Sequence, residues 1–278
     1  MRQISILGCG WLGLPLAKSL IEKGYSVNGS TTSVDKISVL KNAGITPFQI
    51  SLGEDEIKGE IDLFLANSEI LIIDIPPKLR GDSKDTSTAL SMTFVEKIQT
   101  LVPFIAKSSV EKVIFVSSTS VYSDDNSTIT EALEPRPDSE SGKQLLASEK
   151  LLQSNTNFKT TVVRFGGLIG DDRHPIKFLA GRKNIENPDA PINMIHQEDC
   201  IGIIEEILRQ AQNDKLEWNE TFNAVAPFHP SRKDYYTNKA IALNLPLPEF
   251  NESKPSIGKW IVSTKIETVL GYNFKKEL

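Results

Sequence analysis

The chain has 278 residues, 39% hydrophobic and 24% charged, with a formal net charge of −5 and a pI of about 5.4. This length supports one large domain or two small ones, and the composition excludes disordered, collagenous and repeat classes. A mildly acidic surface repels phosphate backbones, which argues against nucleic acid as a partner.

Two cysteines, Cys9 and Cys200, are too few for a disulfide framework and read as buried small residues. The three histidines, His174, His196 and His229, show no metal-ligand spacing, so no metal site is expected. The first strand begins within a few residues of Met1, and no apolar run reaches membrane length. A cytoplasmic protein with no membrane partner is therefore expected.

In chain order, strands are predicted at Ile4–Leu7, Tyr25–Ser30, Ile45–Ile50, Glu69–Ile75, Val110–Ser117, Thr160–Arg164 and Glu220–Val225. Helical periodicity covers Leu12–Lys23, Ser33–Ala43, about Ser87–Lys107 with an interruption near Pro103, Gln144–Gln153, Asp199–Arg209 and Asp234–Leu243. Short apolar strands alternating with helices imply an α/β fold with a doubly wound parallel sheet. After Gly170 the texture changes. Residues 171–194 hold three prolines and little periodicity, and the tail from Phe228 is rich in Pro, Asn and Lys. These two stretches are expected to form a small C-terminal substrate lobe over the sheet. Residues 1–170, continued by 195–227, form the larger domain.

The sharpest motif is Ile4-Ser-Ile-Leu-Gly8-Cys-Gly10-Trp-Leu-Gly13, a G-x-G-x-x-G between an apolar strand and an amphipathic helix. Gly8 makes the tight turn, Gly10 admits a pyrophosphate to the backbone, and Gly13 lets helix and strand pack closely. The helix start then offers free N–H groups and a positive dipole end. This is the dinucleotide-binding signature of the Rossmann fold, and NAD or NADP is the expected cofactor. The second strand ends in Ser30-Thr31-Thr32, with no acid before Asp35. An NAD-selective site usually carries an acid there for the ribose hydroxyls. Hydroxyls with Lys36 nearby suit a 2′-phosphate instead, which tilts the balance to NADP over NAD; the same hydroxyls also serve as helix caps. The expected cofactor contacts are Gly8, Gly10, Trp11, Leu12, Gly13, Ser30, Thr31, Thr32, Pro76 and Ser117.

The fifth strand runs into Val113-Ile-Phe-Val-Ser117-Ser118-Thr-Ser-Val121-Tyr122. With this motif the chain resembles the extended short-chain dehydrogenase/reductases, the superfamily of sugar-nucleotide epimerases and dehydratases, which carries S-S-x-x-V-Y here. Glu131–Pro137, Arg164-Phe-Gly-Gly-Leu-Ile-Gly170, Asn193-Met-Ile-His196-Gln-Glu-Asp199 and Leu270-Gly-Tyr resemble further family segments, so the likeness spans nearly the whole chain. Within it, G-W-L-G-L-P-L-A, S-S-T-S-V-Y and Asp172-Arg-His-Pro175 resemble the YeeZ-type bacterial subgroup. The resemblance implies an NAD(P)-dependent, epimerase/dehydratase-like oxidoreductase acting on a small molecule. It also implies a homodimer packed through the long helices after strands four and five, although no decisive apolar stripe marks them.

The departures from the family are chemical. Active members carry Tyr-x-x-x-Lys on the helix after strand five, where the Lys tunes the Tyr for acid–base work. Aligning Glu149 with the family's acid puts Ser141 at the Tyr position and Leu145 at the Lys position. Lys143 lies on another helix face, and Leu7 stands where the family has its first glycine. The remaining catalytic candidates are Ser118, which matches the family's Ser/Thr, Tyr122, and His174, which can exchange protons near neutral pH. Arg164 reads as a structural ion pair, His196 and Asp199 as helix-start contacts, and Lys259 as a solvated lysine. Two functions fit: an oxidoreductase with an atypical catalytic set, or a non-catalytic NAD(P)-binding sensor or regulator.

Overall fold

The computed structural model describes residues 2–53, 56–77, 93–213 and 215–278. Seven strands form one sheet: β1 (Gln3–Leu7), β2 (Ser26–Thr31), β3 (Thr46–Gln49), β4 (Ser68–Ile73), β5 (Lys112–Ser118), β6 (Lys159–Phe165) and β7 (Thr221–Ala224). Their order is β7-β6-β5-β4-β1-β2-β3, and every pairing is parallel. Parallel strands need crossovers, and these place helices on both faces. One face carries α1 (Gly13–Glu22) and α2 (Asp35–Asn42); the other carries α3 (Phe94–Lys107) and α4 (Glu140–Gln153). The helix α5 (Gln197–Gln212) joins the first face.

The sheet reads as apolar runs because both faces are covered. In β4, Ile70 and Ile72 enter the cluster under α1 and α5, while Leu71 and Ile73 enter the cluster under α3 and α4. That two-residue alternation divides one strand between two cores. The chain proceeds outward from β1 through β2 to β3, then returns to lay β4 on β1's other side. The crevice beyond the carboxyl ends of β1 and β4 is thus the topological switch point, where open α/β sheets take their ligands.

Several boundaries differ from expectation. The helix expected over Ser87–Lys107 is described from Phe94, and residues 87–92 of that expectation lie outside the described residues. Its start is fixed by a reciprocal cap between Thr93 and Glu96. Pro103 does not interrupt it, because Ile98, Leu101 and Ile105 are fully buried and hold the helix on the sheet against the loss of one backbone bond. Helix α4 begins four residues before the expected Gln144, since Ser139 caps the Gly142 N–H at 3.1 Å. A short helix, Ile61–Leu65, precedes β4; five residues are too few to show a 3.6-residue period.

A third apolar cluster joins Ile176, Leu179, Ile185 and Ile192 to Tyr235, Tyr236 and Ala240 of α6 (Arg232–Ala242). It therefore draws on both stretches that follow Gly170. The end of the chain packs elsewhere: Ile261 lies in the cluster under α3 and α4, and Ile266, Leu270 and Tyr272 lie in the cluster under α1 and α5.

Candidate functional site

The glycine loop is shaped by backbone contacts. Gly8 has φ +108°, and a Cβ there would lie 2.3 Å from the Asp74 carbonyl oxygen. A Cβ on Gly13 would lie 2.3 Å from the Gly8 carbonyl oxygen. A Cβ on Gly10 would meet no atom of the described residues within 4 Å. Two glycines thus allow the strand–turn–helix to close, while the middle one leaves open space in front of the backbone. Helix α1 has no side-chain cap and no acid in its first turn. The N–H groups of Trp11 and Leu12 find no backbone or side-chain acceptor among the described residues. Unpaired N–H donors at a helix start are the groups through which such a turn can hold an anion.

A cavity of about 410 Å3 opens beside this loop. Its walls bring together Gly8 and Gly10 with Ser30, Thr31, Thr32, Lys36 and Pro76, all singled out in the sequence for a cofactor, and add Asp74, Phe94 and Lys97. The hydroxyls of the β2 end divide their roles. Ser30 is 2% exposed and its Oγ accepts the Gly8 N–H at 2.9 Å, so it holds the loop. Thr31 Oγ1 accepts the Ser33 N–H at 3.1 Å, so it shapes the turn. Thr32 and Lys36 are exposed and face whatever the cavity holds. A wider groove of about 710 Å3 lies at the amino end of the sheet, against Arg2 and Tyr25. Its Lys23 and Arg209 are paired with Glu205 and Glu206, and no ligand is expected at that end of a parallel sheet.

Ser117 does not face the cavity. Its Oγ donates to Glu149 at 2.5 Å, and Glu149 is held by Arg164 through contacts of 2.6, 3.1 and 3.2 Å. Arg164 also donates to the Tyr122 hydroxyl at 2.5 Å, and that hydroxyl donates to Asn223 Oδ1 at 3.0 Å. Arg164 is thus the structural ion pair expected of it. Tyr122 is 2% exposed, and burial pushes its hydroxyl above the ordinary tyrosine range despite the opposing guanidinium. Ser118 is half-buried. Its Oγ accepts the Ser120 N–H at 3.2 Å, leaving its own proton free to donate. Leu145 lies in the core and Lys143 is exposed, so α4 offers neither half of a Tyr–Lys pair.

His174 lies away from these groups. Its Nδ1 accepts the Ile176 N–H at 3.1 Å, which leaves Nε2 to donate to the Tyr235 hydroxyl at 2.8 Å. Burial, with Lys239 and Lys177 adding to it, lowers its pKa to about 4. It is therefore neutral at physiological pH and committed to the third cluster. His196 caps α5 by accepting the Glu198 N–H, and Asp199 accepts from the Tyr272 hydroxyl and the Lys275 and Lys276 N–H groups. Lys259 is not solvated: its Nζ donates to the Tyr122 carbonyl at 2.6 Å and pairs with Asp124 at 3.1 Å. Cys9 and Cys200 are both buried and free.

Two of the three segments that resemble the YeeZ-type subgroup, the glycine loop and Asp172–Pro175, meet in space. Trp11 Nε1 donates to Asp172 Oδ1 at 2.9 Å, the Arg173 guanidinium lies 5.0 Å from the Trp11 ring centroid, and Gln197 donates to the Trp11 carbonyl at 2.7 Å. The glycine loop is thereby tied to the turn that leads into the third cluster. Asp74 is the site residue that sequence reasoning missed. The signal was an acid at the end of the apolar run Ile70–Ile73, where a parallel strand gives out. Among the described residues no cluster of metal-ligating side chains occurs, and no helix is long and apolar enough to cross a membrane.

No family model matches the chain. It is 31% identical to Protein YeeZ of Escherichia coli over 277 residues, covering 99% of this chain and 96% of that one. It superposes on a UDP-glucuronic acid 4-epimerase from Bacillus cereus, solved in complex with NAD, with TM-score 0.78, 17% identity and 99% and 92% coverage of the two chains. It superposes on a conserved protein from Silicibacter pomeroyi with TM-score 0.77, 21% identity and 99% and 94% coverage. The structural likeness shows a Rossmann-like fold of the epimerase type. The full-length identity to the curated relative goes further, and the chain belongs to the YeeZ family.

Proposed function

We propose that the chain is an NAD(P)-binding protein of the epimerase/dehydratase-like oxidoreductase class, acting on a small molecule. The carrying observation is the open space at Gly10, flanked by the unaccepted N–H groups of Trp11 and Leu12. A dinucleotide would lay its pyrophosphate there and its adenosine along Ser30–Thr32 and Pro76. When bound, the cofactor supplies a hydride acceptor or donor. Ser118, at the carboxyl end of β5, is the group placed to hold a substrate oxygen. The buried Ser117–Glu149–Arg164–Tyr122 network fixes the backbone that presents it. We read residues 1–170 and 195–227 as the cofactor domain. Residues 171–194 and 228–278 form the substrate lobe, with Ile261–Tyr272 packed back onto that domain.

The β2 end favours NADP. It carries no acid for a ribose 2′-hydroxyl, and Thr32, Lys36 and Lys97 share the cavity wall. Lys36→Ala should weaken NADP binding roughly five- to tenfold, about 1 kcal/mol for one exposed charge-assisted contact, and leave NAD unchanged. Calorimetry with both cofactors checks this. Equal losses for NAD and NADP would reject the 2′-phosphate role.

One observation favours the alternative of a non-catalytic sensor. The Tyr–Lys pair is replaced by Ser141 and Leu145, and Tyr122 and His174 spend their polar atoms inside the protein. Turnover decides between the two. An oxidoreductase consumes cofactor with a small-molecule substrate and slows when Ser118 becomes Ala. A sensor binds cofactor without consuming it against a broad panel of sugar nucleotides, alcohols and aldehydes.

A further inference from the structure

Asp74 stands where an anion-binding site should not have a carboxylate. It follows β4 directly, it lines the cavity with Gly8 and Gly10, and its carboxylate lies against Gly13, the first residue of α1. Its Oδ2 lies 3.0 Å from where a Gly13 Cβ would be. The same helix end that would stabilise a pyrophosphate is already occupied on one side by an acid. An ionised carboxylate there repels a bound diphosphate at short range in a partly desolvated crevice. A protonated one does not, and its O–H can donate to a phosphate oxygen.

We propose that this site takes up its dinucleotide together with a proton, and that Asp74 holds that proton. The inference rests on the cofactor reading above and adds a linkage that the glycine motif alone does not carry. The surroundings agree with it. In the glycine loop, burial pushes the Cys9 thiol up to about 12, with the charge of Asp74 adding to it. In α5, burial likewise raises the Cys200 thiol, with Asp199 and then Asp74 adding to it. Ser30 of β2 lines the same cavity, and its Oγ already serves Gly8. Lys36 of α2 and Lys97 of α3 line the same cavity, yet Asp74 makes no salt bridge among the described residues. Burial raises its carboxyl to about 8, with only the Gly13 N–H opposing. Asp74 is therefore largely protonated at neutral pH, and a diphosphate beside it favours that state further.

The sign follows from proton linkage. Affinity is full below the carboxyl's free pKa and falls as pH rises through it, by about tenfold per pH unit once ionisation opposes binding. NADP+ and NAD+ are titrated calorimetrically between pH 7 and 9.5, above the range in which a phosphate monoester changes charge. The dissociation constant should stay flat to about pH 8 and then rise. Binding heats in buffers of different ionisation enthalpy should report net proton uptake at pH 8 and above. Asp74→Asn, close to isosteric with the protonated acid, should bind at pH 9 as tightly as at pH 7 and take up no proton. Wild-type affinity that is independent of pH, or that rises with pH because an ionised carboxylate accepts a ribose hydroxyl, would overturn the proposal. So would the same decline with pH in Asp74→Asn. Failure of both proteins to bind either cofactor at any pH would overturn this proposal and the cofactor reading together.

Discussion

Arg164→Ala should destabilise the protein by about 3–5 kcal/mol, lowering its melting temperature by roughly 10 °C. The reason is what the guanidinium leaves behind. The Glu149 side chain is 1% exposed and the Arg164 side chain 7%. The pair ties α4 to β6, with Ser117 of β5 donating to the same carboxylate and Tyr122 accepting from the same guanidinium. Without Arg164, a carboxylate remains desolvated with one hydroxyl as partner, and Tyr122 loses a donor. Breaking a buried pair is therefore far more harmful than removing it whole. A double replacement, Arg164→Met with Glu149→Leu, should recover most of the loss because similar apolar volume needs no compensating charge. Thermal and urea unfolding of the three proteins checks both statements. A loss below about 1 kcal/mol for Arg164→Ala would mean that water reaches Glu149, against its burial.

Gly13→Ala should cost both fold and ligand. The added carbon would sit 2.3 Å from the Gly8 carbonyl oxygen and 3.0 Å from Asp74 Oδ2. Neither the backbone oxygen nor the strand behind it can give way without lifting α1 off β1. Overpacking of this kind costs about 1–3 kcal/mol of stability. The donors at the helix start would also move relative to β2 and β4, so cofactor affinity should fall by about two orders of magnitude, near 2.7 kcal/mol. Unfolding curves and cofactor titration measure the two effects separately. Unchanged stability and affinity would show that the loop tolerates a methyl where the contacts say it cannot.

Much of this architecture was legible from the chain. The apolar run Ile70–Ile73 announces a strand buried on both faces, and G-x-G-x-x-G between Ile6 and Leu14 announces the turn. What escaped depends on partners remote in sequence. Lys259 reads as a surface lysine until the Tyr122 carbonyl, 137 residues away, is placed against its Nζ. His174 reads as an acid–base candidate because a sequence shows a residue type, not the Tyr235 hydroxyl and Ile176 N–H that occupy its ring. Ser30 and Thr31 read as hydroxyls free to meet a ligand, but their oxygens already serve the Gly8 and Ser33 N–H groups, contacts that a sequence does not display. The first turn of α4 was missed because Ser141 and Gly142 are poor helix formers and the Ser139 cap decides the start. The contact of Trp11 with Asp172 and Arg173 joins two motifs that the sequence singled out separately.

Gly10→Ala separates binding from folding more cleanly than any other change. Its Cβ would meet no atom of the described residues within 4 Å, so stability should shift by no more than about 1 kcal/mol. The methyl would instead fill the space assigned to the pyrophosphate. Titration of NADP+ and NAD+ into the wild-type protein and Gly10→Ala at pH 7 is the direct measurement. Micromolar binding in the wild type, weakened at least tenfold in a variant that melts at the same temperature, is the expected result. Equal binding by the two proteins, or no binding of either cofactor by the wild type, would contradict a dinucleotide at the glycine loop.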